Sequence, residues 1–553
     1  MLDSKKENLY KIIKREAIIT SDQRKSYGRD GAPQDWVFDI KKITLDPIAL
    51  NLIADIFWQK YENTYPFQVG CQETAAIPLV SAIVCNSQQI GKPVNGFYIR
   101  KSRKKDGLQK IIEGKFDDNK IILVDDIINS GQTISRQINV IEEQGKKVSN
   151  VFTLVNYREE TNYKFLKEKD IQLISLFPIT EFGLELIKEV RDIPRNYFNV
   201  LWHFKSPNPE FFYVVPKSTP ALDEDKIYFG SDSGYFWALD QKNGKVVWRH
   251  RIFWFSRKGI FSSPAICKEN VYFGAYDGNI YCLNKETGKK KWIFMEADWV
   301  GSSPVISEDL NLLFIGLEFG LLRKQGGIVA LNLNTGKKVW EQKMSKFVHC
   351  TPIYLKKKKM VAIGGNDGCV HLFGARNGKK IWTYQAGDEI KYSLETDAEN
   401  KFIFFGSTDG NLYIIDVDSG ELILRYKNES GIFSTPFIHG DNVIFSSLDK
   451  RIYNINFQKD EPNWIFNTSG RVFSSPVLIE GNIFVGSNDG KMYEIDKNNG
   501  KLISFVQFTE RITNKIVYNP SSKRFFVLTQ ANEIYCLARQ NSTKNFVAPG
   551  SAL

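Results

Sequence analysis

Residues 120–145 read KIILVDDIINSGQTISRQINVIEEQG. An apolar run ends in two adjacent acids, Asp125 and Asp126. A short loop with a single glycine follows, and then an amphipathic stretch marked by Ile134, Ile138 and Ile141. A strand–loop–helix joint presents free backbone N–H groups and the positive end of a helix, which suits a phosphate monoester. Ser130 and Thr133 add hydroxyl donors, and Gly131 lets the backbone approach the anion closely. Asp125 and Asp126 can accept hydrogen bonds from two vicinal ribose hydroxyls. As mere structure, two adjacent acids at a strand end would repel to no purpose; the plain alternative is a surface turn with both acids solvated.

This segment resembles the phosphoribosyl-pyrophosphate signature of type I phosphoribosyltransferases: an apolar strand, an acid pair, two apolar residues, then a short Thr/Ser/Gly cradle. The resemblance implies that Ser130, Gly131 and Thr133 hold the 5′-phosphate, that Asn129 and Gln132 join them in binding phosphoribosyl pyrophosphate, and that Asp125 and Asp126 orient the ribose. Asn129 departs at the fifth place, where relatives with Asp use it as a base. VGCQETAAIPLV (69–80) resembles the family's pyrophosphate loop, carried here by Glu73, Thr74, Ala75 and Ala76, with the two alanines in place of two glycines. GFYIRKSRKKDGLQKIIEG (96–114) resembles the mobile catalytic loop of the orotate enzymes, with Arg100, Lys101 and Lys104 in register and Lys105 and Asp106 replacing an Asp-His pair. Cations there would meet the charge of departing pyrophosphate, and a lid would exclude water. VNYREET (155–161) aligns Arg158 with the arginine that holds the orotate carboxylate, with Tyr157 in place of the family's Asp. Residues 9–47 resemble the N-terminal part of the same enzymes. The resemblance implies phosphoribosyl pyrophosphate and a nucleobase as substrates. It further implies Mg²⁺ that reaches Asp125 and Asp126 through the diphosphate, Lys104 with the two acids as catalytic groups, and a homodimer formed by this domain.

The elements that must position these residues occupy about 1–197. Asp46 with Pro47 predicts a capped helix start, continued by Ile48, Leu52, Ile56 and Tyr61. Short apolar runs at 77–84, 94–99, 121–124 and 151–155 alternate with polar helix-like stretches, which predicts an α/β domain with a largely parallel sheet. All five histidines, His203, His250, His349, His371 and His439, lie beyond this region, so none can serve it as a base.

From about residue 198 to 553 the texture changes. IYFGSDSGYFWALDQKNGKVVW (227–248) is echoed at 271–292, 403–422 and 483–502, and S-S-P or S-T-P opens units at 262–264, 302–304, 434–436 and 474–476. A period of about 40–48 residues with four strands per repeat predicts propeller blades. Trp248, Trp292, Trp340, Trp382 and Trp464 share one phase, with Leu424 and Ser504 at that place in two further repeats. The last repeat lacks its outer strand, and NVLWHFK, with Trp202, is expected to supply it and close the ring, which removes two sheet edges. This predicts eight blades, with seven as the alternative. The repeats resemble the pyrroloquinoline-quinone-type propeller family. Quinone binding is not expected, because the adjacent-cysteine pair of its catalytic members is missing. The Asp-Gly pairs at 277, 367, 409 and 489 are expected to make tight turns, with calcium as a weaker alternative.

Hydrophobic residues at 42% and charged residues at 25% fit a globular chain too long, at 553 residues, for one core. No apolar run approaches the roughly 18 residues of a membrane span, and residues 1–20 do not read as a secretory signal. Seven cysteines, none adjacent, read as reduced thiols of a cytoplasmic protein. The formal charge of +11 suits anionic ligands, but the lysines are scattered through turns, so nucleic acid is not expected as a partner. The expected function is Mg²⁺-dependent transfer of phosphoribose to an orotate-like pyrimidine, with the propeller as a ligand- or protein-binding module. The alternative is a catalytically weak sensor of phosphoribosyl pyrophosphate or a nucleotide whose propeller binds a protein partner.

Overall fold

A computed structural model of the chain describes residues 2–20, 26–27, 33–34, 36–100, 111–129, 131–158, 163–184, 197–207, 216–252, 259–320, 325–459 and 461–540. It divides into two compact units, Met1–Ile193 and Pro194–Leu553.

The first unit is built on a six-stranded sheet. Its strands, in chain order, are β1 (Phe67–Gln72), β2 (Asn95–Ile99), β3 (Ile112–Gly114), β4 (Lys120–Ile128), β5 (Val148–Asn156) and β6 (Gln172–Pro178), arranged in space as 6-5-4-1-2-3. All neighbours are parallel except β3, which runs antiparallel to β2 at the edge. A parallel sheet is covered on both faces, and β4 accordingly carries an unbroken buried run from Ile121 to Asp125. From β1 the chain moves to one side of the sheet, and from β4 it moves to the other. The crevice beyond the C-terminal ends of these two central strands is therefore the topological switch point, where open α/β sheets bind their ligands.

Helices α1 (Leu2–Glu16), α2 (Pro47–Tyr61), α3 (Ile77–Gln89) and α4 (Gln132–Glu142) accompany the sheet. Helix α2 begins as expected: the Asp46 carboxylate accepts the Ala49 N–H at 2.8 Å and Pro47 stands at its first position. Its buried face is rotated from the expected one. Ala49, Ile53, Ile56, Phe57, Trp58 and Tyr61 are buried, whereas Ile48 is 64% exposed. The apolar run 77–84 is not a strand but the first two turns of α3. A short apolar run looks alike in a buried helix and a buried strand, and Pro78 in the first turn is the feature that distinguishes them. The strand that precedes it, β1, lies upstream at 67–72.

The second unit is a ring of eight four-stranded antiparallel sheets, at 221–251, 265–294, 305–344, 353–385, 395–427, 437–467, 477–507 and 517–539, the last completed by Phe198–Lys205. That early strand pairs along Glu533–Arg539 and supplies the outer edge of the eighth blade. Trp202, Trp248, Trp292, Trp340, Trp382 and Trp464 each donate the indole N–H to a backbone carbonyl of the next blade at 2.8–3.1 Å. Each ring lies on a left-handed glycine of that blade's last hairpin, where a Cβ would come within 3.0 Å of the indole. For Leu424, the sequence of the next blade has Asp460 where the others have that glycine. Ser504 faces the eighth blade, whose last hairpin does not exist because its outer strand comes from the other end of the repeats. The two missing tryptophans are thus the two places without a glycine platform. The Asp-Gly pairs do make turns, with Gly278, Gly368, Gly410 and Gly490 at φ of 77–87°. All seven cysteines are free thiols. Among the described residues, no helix is long and apolar enough to cross a membrane.

Candidate active site at the sheet switch point

Asp125 and Asp126 stand in the C-terminal half of β4, which does not end at the pair but runs on through Ile128 to the switch point. Asp125 is buried and Asp126 half-buried. The Asp126 N–H donates to Asp125 Oδ1 at 3.1 Å, and the Ile127 N–H donates to Asp126 Oδ1 at 2.8 Å. Burial, followed by the charge of Asp126, holds the Asp125 carboxyl well above the usual carboxylate range. Burial also raises Asp126, although the Ile127 amide and the charge of Lys41 pull the other way. Beneath the pair, burial and then the two acids push the Cys71 thiol of β1 up to about 12, which leaves it an inert packing group.

The loop from β4 enters α4 through Gly131, whose φ is +74°. A Cβ there would lie 2.7 Å from the Phe165 ring, so the position requires glycine on two counts. Gly131 supplies no side-chain cap, and the start of α4 presents its first-turn N–H groups toward the loop. Thr133 is exposed in that turn. Ile134, Ile138 and Ile141 are fully buried, as the amphipathic reading requires. Ser130 lies outside the described residues, as does the side chain of Gln132.

Across the switch point, Glu73, Thr74, Ala75 and Ala76 connect β1 to α3, and the Glu73 N–H donates to the Ile99 carbonyl at 2.9 Å. Arg100, at the end of β2, lies 3.9 Å from the Glu73 carboxylate. Lys101, Lys104, Lys105 and Asp106 lie outside the described residues. On the other side, Arg158 Nε donates to Asn129 Oδ1 at 3.1 Å, which brings the base-binding candidate onto the cradle loop. Tyr157 is half-buried beyond β5; burial and then Asp126 raise its phenol.

Sequence reasoning passed over Arg136. Only 8% exposed, it donates from one guanidinium nitrogen to Gln72 Oε1 at 3.3 Å and from the other to the Arg100 carbonyl at 3.1 Å. It therefore pins the roots of both flanking loops to the helix that carries the cradle. The signal, an arginine inside the apolar face of α4, is legible only once its partners are known. Arg136→Lys keeps the charge but loses the two-pronged geometry. For the phosphoribosyl pyrophosphate that the sequence resemblance implies as substrate, the expected result is a rise in KM of about tenfold, through displaced loops, with little change in melting temperature; steady-state kinetics beside a thermal melt checks this.

The propeller has its own concave feature, an axial cavity of about 640 Å³. The second residue of each unit's opening element lines it: Thr219, Ser263, Ser303, Thr351, Ser393, Thr435 and Ser475 in seven blades, and Lys515 in the eighth. The hydroxyls link blade to blade; Ser263, for example, accepts the Thr219 N–H, and Ser303 accepts that of Ser263, both at 2.9 Å. The residues two places earlier in the chain also line it, among them His349, Lys391 and the rings of Phe261, Phe433 and Phe473.

An acid pair and a left-handed glycine thus stand together at the switch point of a mostly parallel sheet in an α/β domain, followed along the chain by an eight-bladed propeller. Residues 39–182 match the family model described as "Phosphoribosyl transferase domain". Residues 189–349 match "Outer membrane protein assembly factor BamB", and 323–549 match "Beta-alanine-activating enzyme, beta-propeller". Among curated proteins, the chain is similar to orotate phosphoribosyltransferases. That of Bradyrhizobium sp. (strain ORS 278) is 28% identical over 183 residues, covering 31% of this chain and 98% of that protein. That of Aquifex aeolicus is 27% identical over 182 residues, covering 33% and 99%. Among solved structures, BamB from Moraxella catarrhalis covers 63% of this chain and 99% of its own, with TM-score 0.51 and 19% identity. Europium-containing methanol dehydrogenase covers 62% and 93%, with TM-score 0.52 and 14% identity. At these identities the likeness is one of fold. The N-terminal unit is thus a phosphoribosyl transferase domain with orotate phosphoribosyltransferase homologues, joined to a β-propeller of BamB-like repeats.

Proposed function

We propose that the N-terminal unit transfers phosphoribose from phosphoribosyl pyrophosphate to an orotate-like pyrimidine. One observation carries this: the two carboxylates stand six and five residues before Gly131 on one strand–loop–helix joint at the switch point. Asp125 and Asp126 accept the two ribose hydroxyls, and the first-turn N–H groups of α4 with Gly131 and Thr133 hold the 5′-phosphate. Arg100 with Lys101 and Lys104 neutralises the departing pyrophosphate, and Arg158 takes the carboxylate of the base. Magnesium, when bound with the diphosphate, would add charge neutralisation. The all-oxygen donor set of Asp125 and Asp126 fits such a hard cation, reached through the bound sugar phosphate. As in the sequence reading, the domain pairs with a second copy of itself in the cytoplasm, and the propeller is a binding module. Its axial cavity, where Lys515 interrupts a ring of hydroxyls, suits a small anionic ligand; a protein partner is the other role.

A second reading, a sensor with little turnover, draws support from Asn129. Its amide cannot act as a base, and its oxygen is already taken by Arg158. Purified full chain mixed with phosphoribosyl pyrophosphate, Mg²⁺ and a panel of bases separates the two. Release of pyrophosphate that requires one base and is lost in Lys104→Ala is the expected result. Tight uptake of the diphosphorylated sugar with no release from any base moves the assignment to the sensor, and no uptake at all removes both.

A further inference from the structure

The turn between the second and third strands of a propeller blade repeats one device. In four blades an aspartate opens the turn and a tyrosine four residues on donates its hydroxyl to it at 2.5–2.6 Å: Tyr281 to Asp277, Tyr413 to Asp409, Tyr453 to Asp449 and Tyr493 to Asp489. The residue two after the aspartate donates its backbone N–H to the same carboxylate and is Asn279, Asn411, Arg451 or Lys491.

The fourth blade keeps the backbone device and changes both side chains at once. It reads Asp367-Gly368-Cys369-Val370-His371, and the Cys369 N–H still donates to Asp367 Oδ1 at 3.0 Å. Alternation along a strand puts Cys369 and His371 on one face. His371 Nε2 lies 3.3 Å from Asp367 Oδ2, and one ligand atom from each of Asp367, Cys369 and His371 lies within 4.8 Å of the others. The other ring nitrogen, Nδ1, lies 3.1 Å from Thr383 Oγ1, an outer partner that fixes the ring with Nε2 facing the carboxylate. Gln385 Oε1 lies 3.1 Å from Cys369 Sγ, held there because the Gln385 amide nitrogen donates to the Ala386 carbonyl at 2.9 Å. The side chains of His371 and Asp367 are 8% and 9% exposed, so the cluster is largely dehydrated yet open to a small ion.

We propose that Asp367, Cys369 and His371 form a zinc site, with Gln385 Oε1 or a water as fourth ligand. One sulfur, one imidazole nitrogen and one carboxylate oxygen make a borderline-soft set that suits tetrahedral Zn²⁺, whereas Ca²⁺ and Mg²⁺ take oxygens. Metal entry displaces the thiol proton to solvent. The neighbouring blades provide a control that folds: Cys369→Asn with His371→Tyr installs the pair that Asn411 and Tyr413 form one blade on.

The test uses the full chain, stripped with chelator, and Co²⁺ and Zn²⁺ as probes. One equivalent of Co²⁺ is expected to produce a thiolate-to-cobalt charge-transfer band and the intense visible bands of a tetrahedral site, both erased by one equivalent of Zn²⁺. The double variant is expected to melt like the stripped wild type, to lose the bands and to bind Zn²⁺ at least about a hundredfold more weakly. Zinc should raise the melting temperature of the wild type alone. Cobalt bound without a thiolate band, or a double variant that takes zinc as tightly as the wild type, overturns the proposal.

Discussion

Asp125→Asn is expected to lower phosphoribosyl transfer on the order of a hundredfold and, in the same protein, to raise the melting temperature of the ligand-free N-terminal unit. Both effects follow from a carboxyl buried beside another acid. Two charge-assisted hydrogen bonds to ribose hydroxyls are worth about 1.5–3 kcal/mol each, and an amide oxygen returns only part of that. For stability the sign runs the other way. The folded-state value of Asp125 is raised, so between the ordinary carboxylate value and that raised value the native chain holds a proton that the unfolded chain has released. Stability is therefore fully present below the ordinary value and lost as pH rises through this window. Asn carries no such proton. The gap in stability between variant and wild type should widen with pH across the window and then stay constant. Calorimetric melts at stepped pH, beside pyrophosphate-release kinetics, measure both. A variant less stable than the wild type at neutral pH would mean that the acids are well solvated and that burial does not raise the Asp125 carboxyl. The same linkage predicts that binding of the sugar substrate strengthens as pH rises through the window, because the acceptors must be ionised.

What could be read from residue types alone followed the range of the interactions. The cradle was legible because its acids, glycine and amphipathic helix are contiguous in 120–145, and local spacing is what a sequence displays. The ring of blades was legible because Trp202 and its five counterparts recur at one phase, each opposite a glycine in the next repeat. Helix α3 was misread at 77–84 because only Ser81 breaks the apolar run there, and a run that short looks alike in a strand and a helix. The face of α2 was misread because Ile48, apolar yet 64% exposed, obeys the helical period as well as Ala49 does. Arg136 was invisible because its partners, Gln72 and Arg100, are 64 and 36 residues away. His371 was counted only among the histidines that lie beyond the N-terminal unit in the sequence. Its meaning emerges when its blade is laid against four others that carry tyrosine there.

The join between the first and eighth blades is another long-range feature, and its disruption carries the largest expected loss of stability. Lys217, 1% exposed in its side chain, pairs with Asp232, 0% exposed, and also donates to the Gln530 carbonyl of the eighth blade at 2.8 Å. Asn514 of the eighth blade returns a hydrogen bond to the Lys217 carbonyl at 2.7 Å. Lys217→Met takes the Lys217 cation away from the buried Asp232 carboxylate, and breaking a buried pair from one side costs about 3–5 kcal/mol. For a domain of this size that corresponds to a fall in the propeller melting temperature on the order of 10 °C. Removing the charge on both sides, in Lys217→Met with Asp232→Leu, should recover most of the loss, because a buried pair contributes little net stability over apolar groups of like volume once its desolvation is counted. The two outcomes together distinguish a buried pair that fixes ring closure from a solvated one. In the solvated case the single variant would lose less than about 1 kcal/mol and the second change would add nothing.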